Sequence, residues 1–549
     1  MNKIIVFVFL LFCSHVLLSQ SVSEKFIVSY SSPLNVDGSS FSYDQNSGNY
    51  IYTSYDSTNK KYTAYTGRGN SSGYDYILAY NEIYDKNGDC YTTAYNNLTD
   101  TTYKYFLLKN GQVIATFDFI NESWLQKDGI IYFVCKDNND TYLTKYSTEN
   151  GNISKGKAYE DITLVYLNQK TPYSEGEPVG ELGFTSDNKP YYLASQDDEK
   201  FIVVGDSELK HYSDIDMYSV VLDKNNVFTY FAKDSGKYYE PHGKSFLVQG
   251  DKEYNKYDYL YAPILFDESN NPIYISGDSV GNYYPQRVMV GNTEGKSYKG
   301  GISDLKFTPS GKITFIGLRE RKDSPGNYDA VVVIDGKEGK AYNDINNFTF
   351  TKNGEPLYSA TDEDGSYIIT GNKQIEIDYP TVLNMNFMPD GRLTYVAAVY
   401  GDEKMKTKDL YYAVIGNNTY GPYDGLVPVN YDNGPYILLD DAGNYAYVVN
   451  RLLDPKNYTY ESVLYTNSGK SKAFDFIQNL YLYQGKALYF GGKLVDKINY
   501  RYKYTMFYGN AQIGSDYDSY SNFKIDDSTG IASFLGLRAN AFYAVEIKF

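Results

Sequence analysis

The feature that most constrains this chain is a landmark that recurs eleven times: a Gly-containing turn, then a Tyr or Phe, then a branched apolar or aromatic residue. The copy at 333–345 reads Val-Ile-Asp-Gly-Lys-Glu-Gly-Lys-Ala-Tyr-Asn-Asp-Ile. Successive copies are 37 to 53 residues apart, and most gaps fall at 41–45. A strand-rich repeat of this period predicts the blades of a β-propeller. The landmark aromatics are Tyr74, Phe117, Tyr159, Tyr212, Tyr257, Tyr298, Tyr342, Tyr379, Tyr423, Phe474 and Tyr517.

A second motif follows each landmark: a hydrophobic residue, two spacers, then Asp or Asn, usually with Gly. Asn-Gly and Asp-Gly favour hairpins because both residues tolerate positive φ. In nine copies an aromatic stands eight residues after the first hydrophobic residue, which predicts a repeated packing position on the second strand of a hairpin, facing a neighbouring blade. The twelve copies start at Phe41, Tyr84, Leu125, Phe184, Leu222, Phe266, Phe307, Phe350, Phe387, Leu439, Tyr481 and Phe523. The nine aromatics are Phe133, Tyr192, Tyr230, Tyr274, Phe315, Tyr358, Tyr395, Tyr447 and Tyr489.

The predicted fold class is therefore all-β, a β-propeller chain of about twelve four-stranded repeats. Single propellers carry roughly four to eight blades, so twelve repeats suggest two consecutive propellers, six plus six as first choice and seven plus five as alternative. The first choice gives domains at 21–295 and 296–549. Orphan strands at 25–30 and 542–549 are expected to close a ring by completing one blade, or separate blades if there are two rings.

Residues 1–20 are read as a secretory signal peptide, with a basic tip, an apolar run to Leu18 and a polar end. A retained anchor is the alternative, although Ser14 and His15 leave the run shorter than a membrane span. No later segment is apolar enough to cross a membrane. We therefore expect an exported protein, secreted, periplasmic or on the cell surface, with no transmembrane segment after signal removal.

The net charge of −17 and a pI near 4.8 argue against nucleic acid, whose phosphates require Lys and Arg patches. Cys90 and Cys135 fall at similar points of consecutive repeats. An exported protein permits a disulfide between them, and two buried free thiols are the alternative.

Motifs for common chemistry are missing or weak, so no residue is assigned to catalysis, cofactor binding or a metal site, and no cofactor is expected. His211 and His242 lie in no ligand-spaced cluster. The acidic runs at 197–199 and 362–364 fall on predicted hairpin turns, where Asp is a turn former. Asp85-Lys-Asn-Gly-Asp89 resembles the start of a calcium loop, but it lacks the bidentate Glu and coincides with a turn.

Tyrosine is the compositional outlier, at 64 of 549 residues. Many tyrosines outside the repeat positions crowd turns and strand ends, for example at 238–239, 283–284, 411–412 and 500–502. Exposed tyrosines supply rigid, amphipathic contact area for proteins and sugars. Half-buried outer strands would use phenols equally well, so both interpretations stay open.

The segments 332–345 and 387–395 resemble the WD40-like repeats of bacterial TolB-type propellers. The second, Phe-Met-Pro-Asp-Gly-Arg-Leu-Thr-Tyr, is similar to their Phe-Ser-Pro-Asp-Gly signature. The likeness is good from about residue 180 to 430, and the Trp-Asp dipeptide of eukaryotic WD40 repeats is absent. The resemblance implies a rigid interaction platform in the cell envelope or outside the cell.

Two functions remain open from the sequence. The first is a non-enzymatic secreted or cell-envelope platform that binds a protein or glycan partner through loops at one propeller face. The alternative is a carbohydrate-active propeller, a hydrolase or lyase, with carboxylates converging at a central channel.

Overall fold

The structure is a computed structural model that describes residues 21–29, 41–99, 102–165, 182–234, 243–281, 283–401, 408–428, 436–454, 459–497 and 500–549. These residues form strands, turns and bends but no helix. Fifty-one strands assemble into twelve antiparallel sheets, one for each predicted repeat. The all-β, twelve-bladed propeller is thus confirmed. The predicted signal peptide, His242 and the Tyr pair at 238–239 lie outside the described residues.

The first six blades follow in chain order. Blade 1 has β2 (Ser42–Tyr43), β3 (Tyr50–Asp56), β4 (Lys61–Thr66) and β5 (Gly69–Tyr74). Blade 2 has β6 (Tyr76–Tyr84), β7 (Cys90–Asn97), β8 (Tyr103–Lys109) and β9 (Gln112–Phe117). Blade 3 has β10 (Phe119–Lys127), β11 (Ile130–Asp137), β12 (Asp140–Ser147) and β13 (Ile153–Tyr159). Blade 4 has β14 (Asp161–Thr163), β15 (Gly183–Phe184), β16 (Pro190–Gln196), β17 (Glu199–Val204) and β18 (Ser207–Glu208). Blade 5 has β19 (Asp214–Ile215), β20 (Val221–Leu222), β21 (Phe228–Lys233), β22 (Ser245–Gln249) and β23 (Lys252–Tyr257). Blade 6 has β24 (Tyr259–Phe266), β25 (Pro272–Gly277), β26 (Gln286–Val290) and β27 (Thr293–Tyr298).

The second six blades repeat the pattern, and the last one takes in the N-terminal strand. Blade 7 has β28 (Ile302–Phe307), β29 (Ile313–Glu320), β30 (Tyr328–Ile334) and β31 (Lys337–Tyr342). Blade 8 has β32 (Asp344–Phe350), β33 (Pro356–Asp362), β34 (Gly365–Thr370) and β35 (Lys373–Ile377). Blade 9 has β36 (Thr381–Phe387), β37 (Leu393–Val399), β38 (Leu410–Ile415) and β39 (Asn418–Tyr423). Blade 10 has β40 (Gly425–Val427), β41 (Leu438–Leu439), β42 (Tyr445–Asp454), β43 (Thr459–Thr466) and β44 (Gly469–Lys470). Blade 11 has β45 (Phe476–Tyr483), β46 (Lys486–Asp496), β47 (Arg501–Tyr508) and β48 (Ala511–Tyr517). Blade 12 has β49 (Ser519–Asp526), β50 (Ile531–Arg538), β51 (Ala541–Lys548) and β1 (Ser21–Ser29).

Within each blade the strands form an antiparallel series that we label A to D. Strand A lies at the inner edge, because side chains on consecutive A strands reach across to one another. Lys306 of blade 7 donates a hydrogen bond to the Phe348 carbonyl of blade 8. Asn347 of blade 8 donates one to the Val382 carbonyl of blade 9 at 2.6 Å. The AB and CD turns lie on one side of the ring, and the BC turns and DA connections lie on the other, which we call the BC face.

The landmark aromatics end the D strands or follow them by two to four residues, and they pack onto the next blade. Tyr298 meets Phe315 edge-on, with ring centroids 5.5 Å apart, and Phe474 meets Tyr489 at 6.0 Å. All nine aromatics predicted on the second strand are buried. The expected packing position between neighbouring blades is therefore confirmed.

Small residues on strand B make room for these rings. A Cβ on Gly491 would lie 2.2 Å from the Phe474 ring, and a Cβ on Gly317 would lie 2.5 Å from the Tyr298 ring. Contacts that short require the ring to move. Each of these glycines stands two residues after the strand B aromatic, where the landmark ring of the preceding blade crosses the sheet.

Twelve apolar clusters join the blades in chain order. One of them contains Ile275 of blade 6 and Val331 of blade 7, so it spans residue 295. Another contains Tyr52 of blade 1 with Leu535 of blade 12, and Phe41 stacks on Phe542 at 3.7 Å in the same cluster. We infer a single closed circuit of twelve blades from this unbroken series.

The division into 21–295 and 296–549 stays a prediction. It requires blade 6 to pack on blade 1 and blade 12 to pack on blade 7. The clusters of the described residues instead join blade 6 to blade 7 and blade 12 to blade 1.

The N- and C-terminal strands complete one blade, which is the first of the two expected closures. β1 pairs antiparallel with β51 from Ser21 opposite Lys548 to Ser29 opposite Ala541. It occupies position D of blade 12, the position that the last strand of each repeat holds elsewhere. The edge of strand β51 is thereby covered.

Cys90 and Cys135 are both buried and free, so the disulfide is not formed. Cys90 belongs to the cluster between blades 1 and 2, whereas Cys135 belongs to the cluster between blades 2 and 3. The Cys135 thiol lies 3.0 Å from the Thr144 hydroxyl. Burial raises the pKa of the Cys135 thiol.

Candidate binding face

Exposed apolar side chains of the described residues concentrate on the BC face. Twelve large ones lie at BC turns or at the adjoining strand ends: Leu98, Tyr103, Phe119, Tyr259, Val280, Tyr283, Tyr284, Tyr400, Leu453, Tyr460, Val495 and Tyr500. The remaining five lie on D strands: Val22, Phe26, Val113, Ile153 and Ile375. Every exposed tyrosine in this set therefore points to the same side of the ring.

A row of aromatic rings crosses blades 1 to 3 on this face. Each ring centroid lies 4.9 to 5.7 Å from that of at least one other ring of the row, and the rings range from half-buried to exposed. Each ring comes from the last or first residues of a strand at the BC end, so the antiparallel meander aligns them. The row, which we call the aromatic row, comprises Tyr55, Tyr62, Tyr76, Tyr95, Tyr103, Tyr105 and Phe119.

Two acidic residues of the BC face form ion pairs and hydrogen bonds with neighbouring strands. Asp75, which follows the landmark Tyr74, pairs with Lys61 of blade 1 at 2.8 Å and accepts the Asn97 backbone N–H of blade 2 at 2.9 Å. Asp118 repeats both contacts, with Lys104 and with the Asn138 N–H, each at 3.0 Å. The hydrogen bond from Lys61 is the largest influence that holds the pKa of Asp75 below its ordinary value. These carboxylates therefore bind neighbouring blades together and are already neutralised by lysine.

Three of the cavities lined by described residues open on this face between neighbouring blades. The largest, about 660 Å³, lies between blades 7 and 8 and is lined by charged residues, among them Arg321 and Asp329, which form an ion pair at 2.7 Å. A cavity of about 450 Å³ between blades 8 and 9 is lined mainly by amides and hydroxyls, including Asn346 and Ser359. The third, about 310 Å³, lies between blades 5 and 6.

The cavity between blades 5 and 6 combines charged and aromatic side chains. Its wall includes Lys200, Asp214, Asp216 and Lys233, and its opening includes Tyr259. Burial raises the pKa of Asp216 above its ordinary value. The Asp216 Oδ1 accepts the Tyr218 backbone N–H at 3.0 Å, which fixes the orientation of the carboxylate.

The inner edge of the ring carries mainly amides where strand A bulges. Asp304, Asn347, Asn479 and Asn522 have φ between 50° and 56° at equivalent bulges of blades 7, 8, 11 and 12. The single carboxylate among them, Asp304, pairs with Lys306 at 2.7 Å. These four positions do not supply the opposed carboxylates that the carbohydrate-active alternative expects.

The residues that the sequence analysis considers as candidate metal ligands or catalytic carboxylates lie in turns, ion pairs and ring contacts. Asp85 accepts the N–H groups of Asn87 and Asp89 at 2.9 Å, as a turn-forming Asp does, and Asp89 pairs with Arg68 and Lys109. The turn at 197–198 has positive φ at both residues. His211 stacks on Phe201, with ring centroids 3.9 Å apart. Among the described residues no cluster of three metal-ligating side chains occurs.

Of the tyrosine pair at 283–284 that the sequence indicates, Tyr284 contacts Tyr259, a residue of the cavity lining between blades 5 and 6, with ring centroids 5.6 Å apart. The tyrosines at 411–412 are half-buried instead. Asp216 was missed because it lies in the irregular segment between β19 and β20. No repeat or motif marks that segment, so the sequence alone held no indication of the cavity.

No protein-family model and no curated protein matches the chain. Solved structures similar to it include TolB from Acinetobacter baumannii, at 12% identity, with 54% of this chain and 77% of that chain covered and a TM-score of 0.21. The β-propeller domain of the Trilobed protease from Pyrococcus furiosus is similar at 10% identity over 55% and 96%, with a TM-score of 0.24. The extracellular domain of a one component system from B. thetaiotaomicron is similar at 10% identity over 96% and 82%, with a TM-score of 0.21.

These neighbours include TolB and other β-propeller proteins, and the finer assignment to WD40-like repeats has no matching family model. At such TM-scores they carry no argument about function. The described residues contain no helix with the length and apolar character of a membrane span.

Proposed function

We propose that this protein is a secreted or cell-envelope binding platform that holds a protein or glycan partner on the BC face. The observation that carries the proposal is the placement of every exposed tyrosine of the described residues on that face. Tyr103, Tyr284 and Tyr500 are 42%, 51% and 75% exposed, and they belong to three well-separated blades. Rigid amphipathic rings give contact area at a low entropic cost.

Local charge supports the same proposal. The ion pairs at the DA connections neutralise the carboxylates beside the aromatic row, so the row offers apolar contact without strong repulsion from the acidic chain. Contiguous exposed apolar groups with a polar surround are typical of interaction sites. Export follows from the expected leader at 1–20.

The test compares two triple variants of residues 21–549. One carries Tyr103→Ser, Tyr284→Ser and Tyr500→Ser on the BC face, and the control carries Val113→Ser, Ile153→Ser and Ile375→Ser on D strands. Retention on immobilised envelope material, rich in proteins and glycans, is measured by surface plasmon resonance. We expect the BC-face variant to lose at least tenfold in retention and the control to match the parent. Equal retention of the two variants contradicts the proposal.

A further inference from the structure

The cavity between blades 5 and 6 is lined by residues near the BC ends of three strands. Strand A of blade 5 supplies Asp214 and Ile215, strand B supplies Phe231 and Lys233, and strand A of blade 6 supplies Tyr259. Its volume of about 310 Å³ lies at the small end of the roughly 300–1,000 Å³ typical of ligand pockets. A pocket of this size suits one small ring rather than a whole oligomer.

The charges that line this cavity balance. Asp214 pairs with Lys200 at 2.7 Å and lies 3.9 Å from Lys233. Asp216 brings the charges of these four side chains to zero, and no ion pair to Asp216 occurs among the described residues. A cationic ligand would therefore meet two lysines, and an anionic ligand would meet two carboxylates. A neutral polar ligand is the one that this lining fits.

The Asp216 carboxylate suits a hydroxyl donor. Its Oδ1 is oriented by the Tyr218 N–H, and the carboxylate is half-buried in the cavity wall. An ionised carboxylate accepts O–H hydrogen bonds that are shorter and stronger than those between neutral groups. Because Lys200 and Lys233 contact Asp214 instead, Asp216 is the acidic side chain of the wall that ion pairing leaves available.

The opening of the cavity carries exposed aromatic rings. Tyr259 and Tyr284 are 42% and 51% exposed, and their ring centroids are 5.6 Å apart in an edge-to-face contact. One face of the Tyr283 ring is instead covered by Lys299, whose ammonium lies 3.9 Å from the ring centroid. Tyr259 and Tyr284 thus present ring surface beside a hydroxyl acceptor.

We propose that this cavity binds one sugar unit of a neutral glycan, with a C–H face of the pyranose against Tyr259 and Tyr284 and a hydroxyl donating to Asp216. Neutrality, ring surface and a hydroxyl acceptor together match a neutral saccharide. The inference rests on the proposed function and names the ligand class for one site on the BC face.

The experiment measures binding of fluorescently labelled neutral hexasaccharides of glucose, xylose, mannose, galactose and N-acetylglucosamine by fluorescence anisotropy. A hexagalacturonate and a tetralysine peptide serve as anionic and cationic probes. The variants are Asp216→Asn, which keeps the side-chain volume, and Tyr284→Ala, which lies in an exposed loop. Val113→Ala, on strand D of blade 2 and outside the exposed set of the BC face, is the control.

We expect at least one neutral hexasaccharide to bind, at least tenfold weaker binding in Asp216→Asn and in Tyr284→Ala, and unchanged binding in Val113→Ala. Absence of neutral hexasaccharide binding, preference for either charged probe, or binding that both variants leave unchanged overturns the inference. If envelope retention still depends on the BC-face tyrosines in that case, the platform function survives and only its ligand class is wrong.

Discussion

The Tyr517 hydroxyl donates a 2.6 Å hydrogen bond to Glu24 Oε1, joining two residues 493 positions apart. The same hydrogen bond recurs between other neighbouring blades, where a landmark tyrosine donates to a glutamate on strand D of the next blade. Tyr257 with Glu294 and Tyr298 with Glu338 are two such pairs, at 3.0 and 2.9 Å. Because β1 reproduces this contact, the N-terminal strand substitutes for the missing D strand of blade 12 and makes the junction between blades 11 and 12 like the others.

Replacing Glu24 by Gln should weaken the contact between β1 of blade 12 and blade 11. Burial acts to raise the pKa of Glu24, but hydrogen bonds from Tyr517 and Ser515 and the charge of Arg538 outweigh it and hold the pKa below its ordinary value. We expect Glu24→Gln to lower the free energy of unfolding by about 1.5–3 kcal/mol, since hydrogen bonds to charged groups contribute about that much. Urea denaturation at neutral pH measures the change.

The sign of the pH dependence follows from the lowered pKa. The contribution of Glu24 is present above the pKa of the unfolded chain and is lost as the pH falls through the pKa of the folded state. The difference between parent and Glu24→Gln should therefore shrink on acidification. Glu546→Gln, on the neighbouring strand opposite Ser23, is the control and should change little. A difference in unfolding free energy that is constant with pH would contradict a stabilising hydrogen bond between Tyr517 and ionised Glu24.

Gly491→Ala should strain the junction between blades 10 and 11, because the added methyl group meets the Phe474 ring at 2.2 Å. Overpacking of this kind costs about 1–3 kcal/mol. Phe474→Leu removes the ring, so the glycine substitution should cost much less in that background. A double-mutant cycle on urea midpoints measures the coupling, and strictly additive effects would show that the ring does not set the requirement for glycine.

Substitutions at Asn347 test whether the bulge of strand A requires a left-handed backbone conformation. Its φ is 56°, and its amide donates to Ser359 and to the Val382 carbonyl. Asn347→Gly loses the hydrogen bonds but keeps the backbone conformation, whereas Asn347→Ala also pays about 1–2 kcal/mol for a left-handed backbone. We expect thermal unfolding to rank the parent above Gly and Gly above Ala. An Ala variant at least as stable as the Gly variant would contradict the backbone argument.

The buried tyrosines predict a two-stage alkaline titration. Burial raises the pKa of Tyr192, Tyr230, Tyr358, Tyr395 and Tyr489 to about 12. A raised pKa stabilises the fold fully below the unfolded value and loses that contribution as the pH rises through the folded value. Phenolate absorbance should therefore show a second, later group of tyrosines that ionises with loss of the β-sheet circular dichroism. One transition for all tyrosines would show that the second group is not buried.

The free thiols give a simple check on the packing of blades 1 to 3. Cys90 and Cys135 belong to separate clusters, and burial shields both. Residues 21–549, purified without reductant, should show no reaction with a thiol reagent when folded and two thiols in denaturant. Zero thiols in denaturant would indicate the disulfide.

The sequence predicted the turns and aromatic positions of each blade, but it did not determine how many blades form one ring. Gly turns, the landmark aromatics and the strand B aromatics lie where the repeat placed them, because each is fixed by contacts within one blade and its neighbour. The number of blades in a ring is different, since the junction around Tyr298 has the same chemistry whether the circuit closes after six blades or after twelve. Closure depends on a small angle between sheets, and no residue encodes that angle by type.

The candidate site was predictable only in part, for a related reason. Tyr283 and Tyr284 are visible as a doublet, but their exposure depends on how the BC loop of blade 6 leaves the sheet. Asp216 and Tyr259 come from different blades, 43 positions apart, and they meet only because strand A of blade 6 lies beside strand A of blade 5. Spacing along the chain does not reveal a pocket made between repeats.

The most direct test of the central claim is electron microscopy of purified residues 21–549, with two-dimensional class averages viewed along the ring axis. The packing of blade 6 on blade 7 and of blade 12 on blade 1 predicts one closed ring of twelve blades around a single opening. Averages that show two joined rings of six, or of seven and five, would contradict the single circuit.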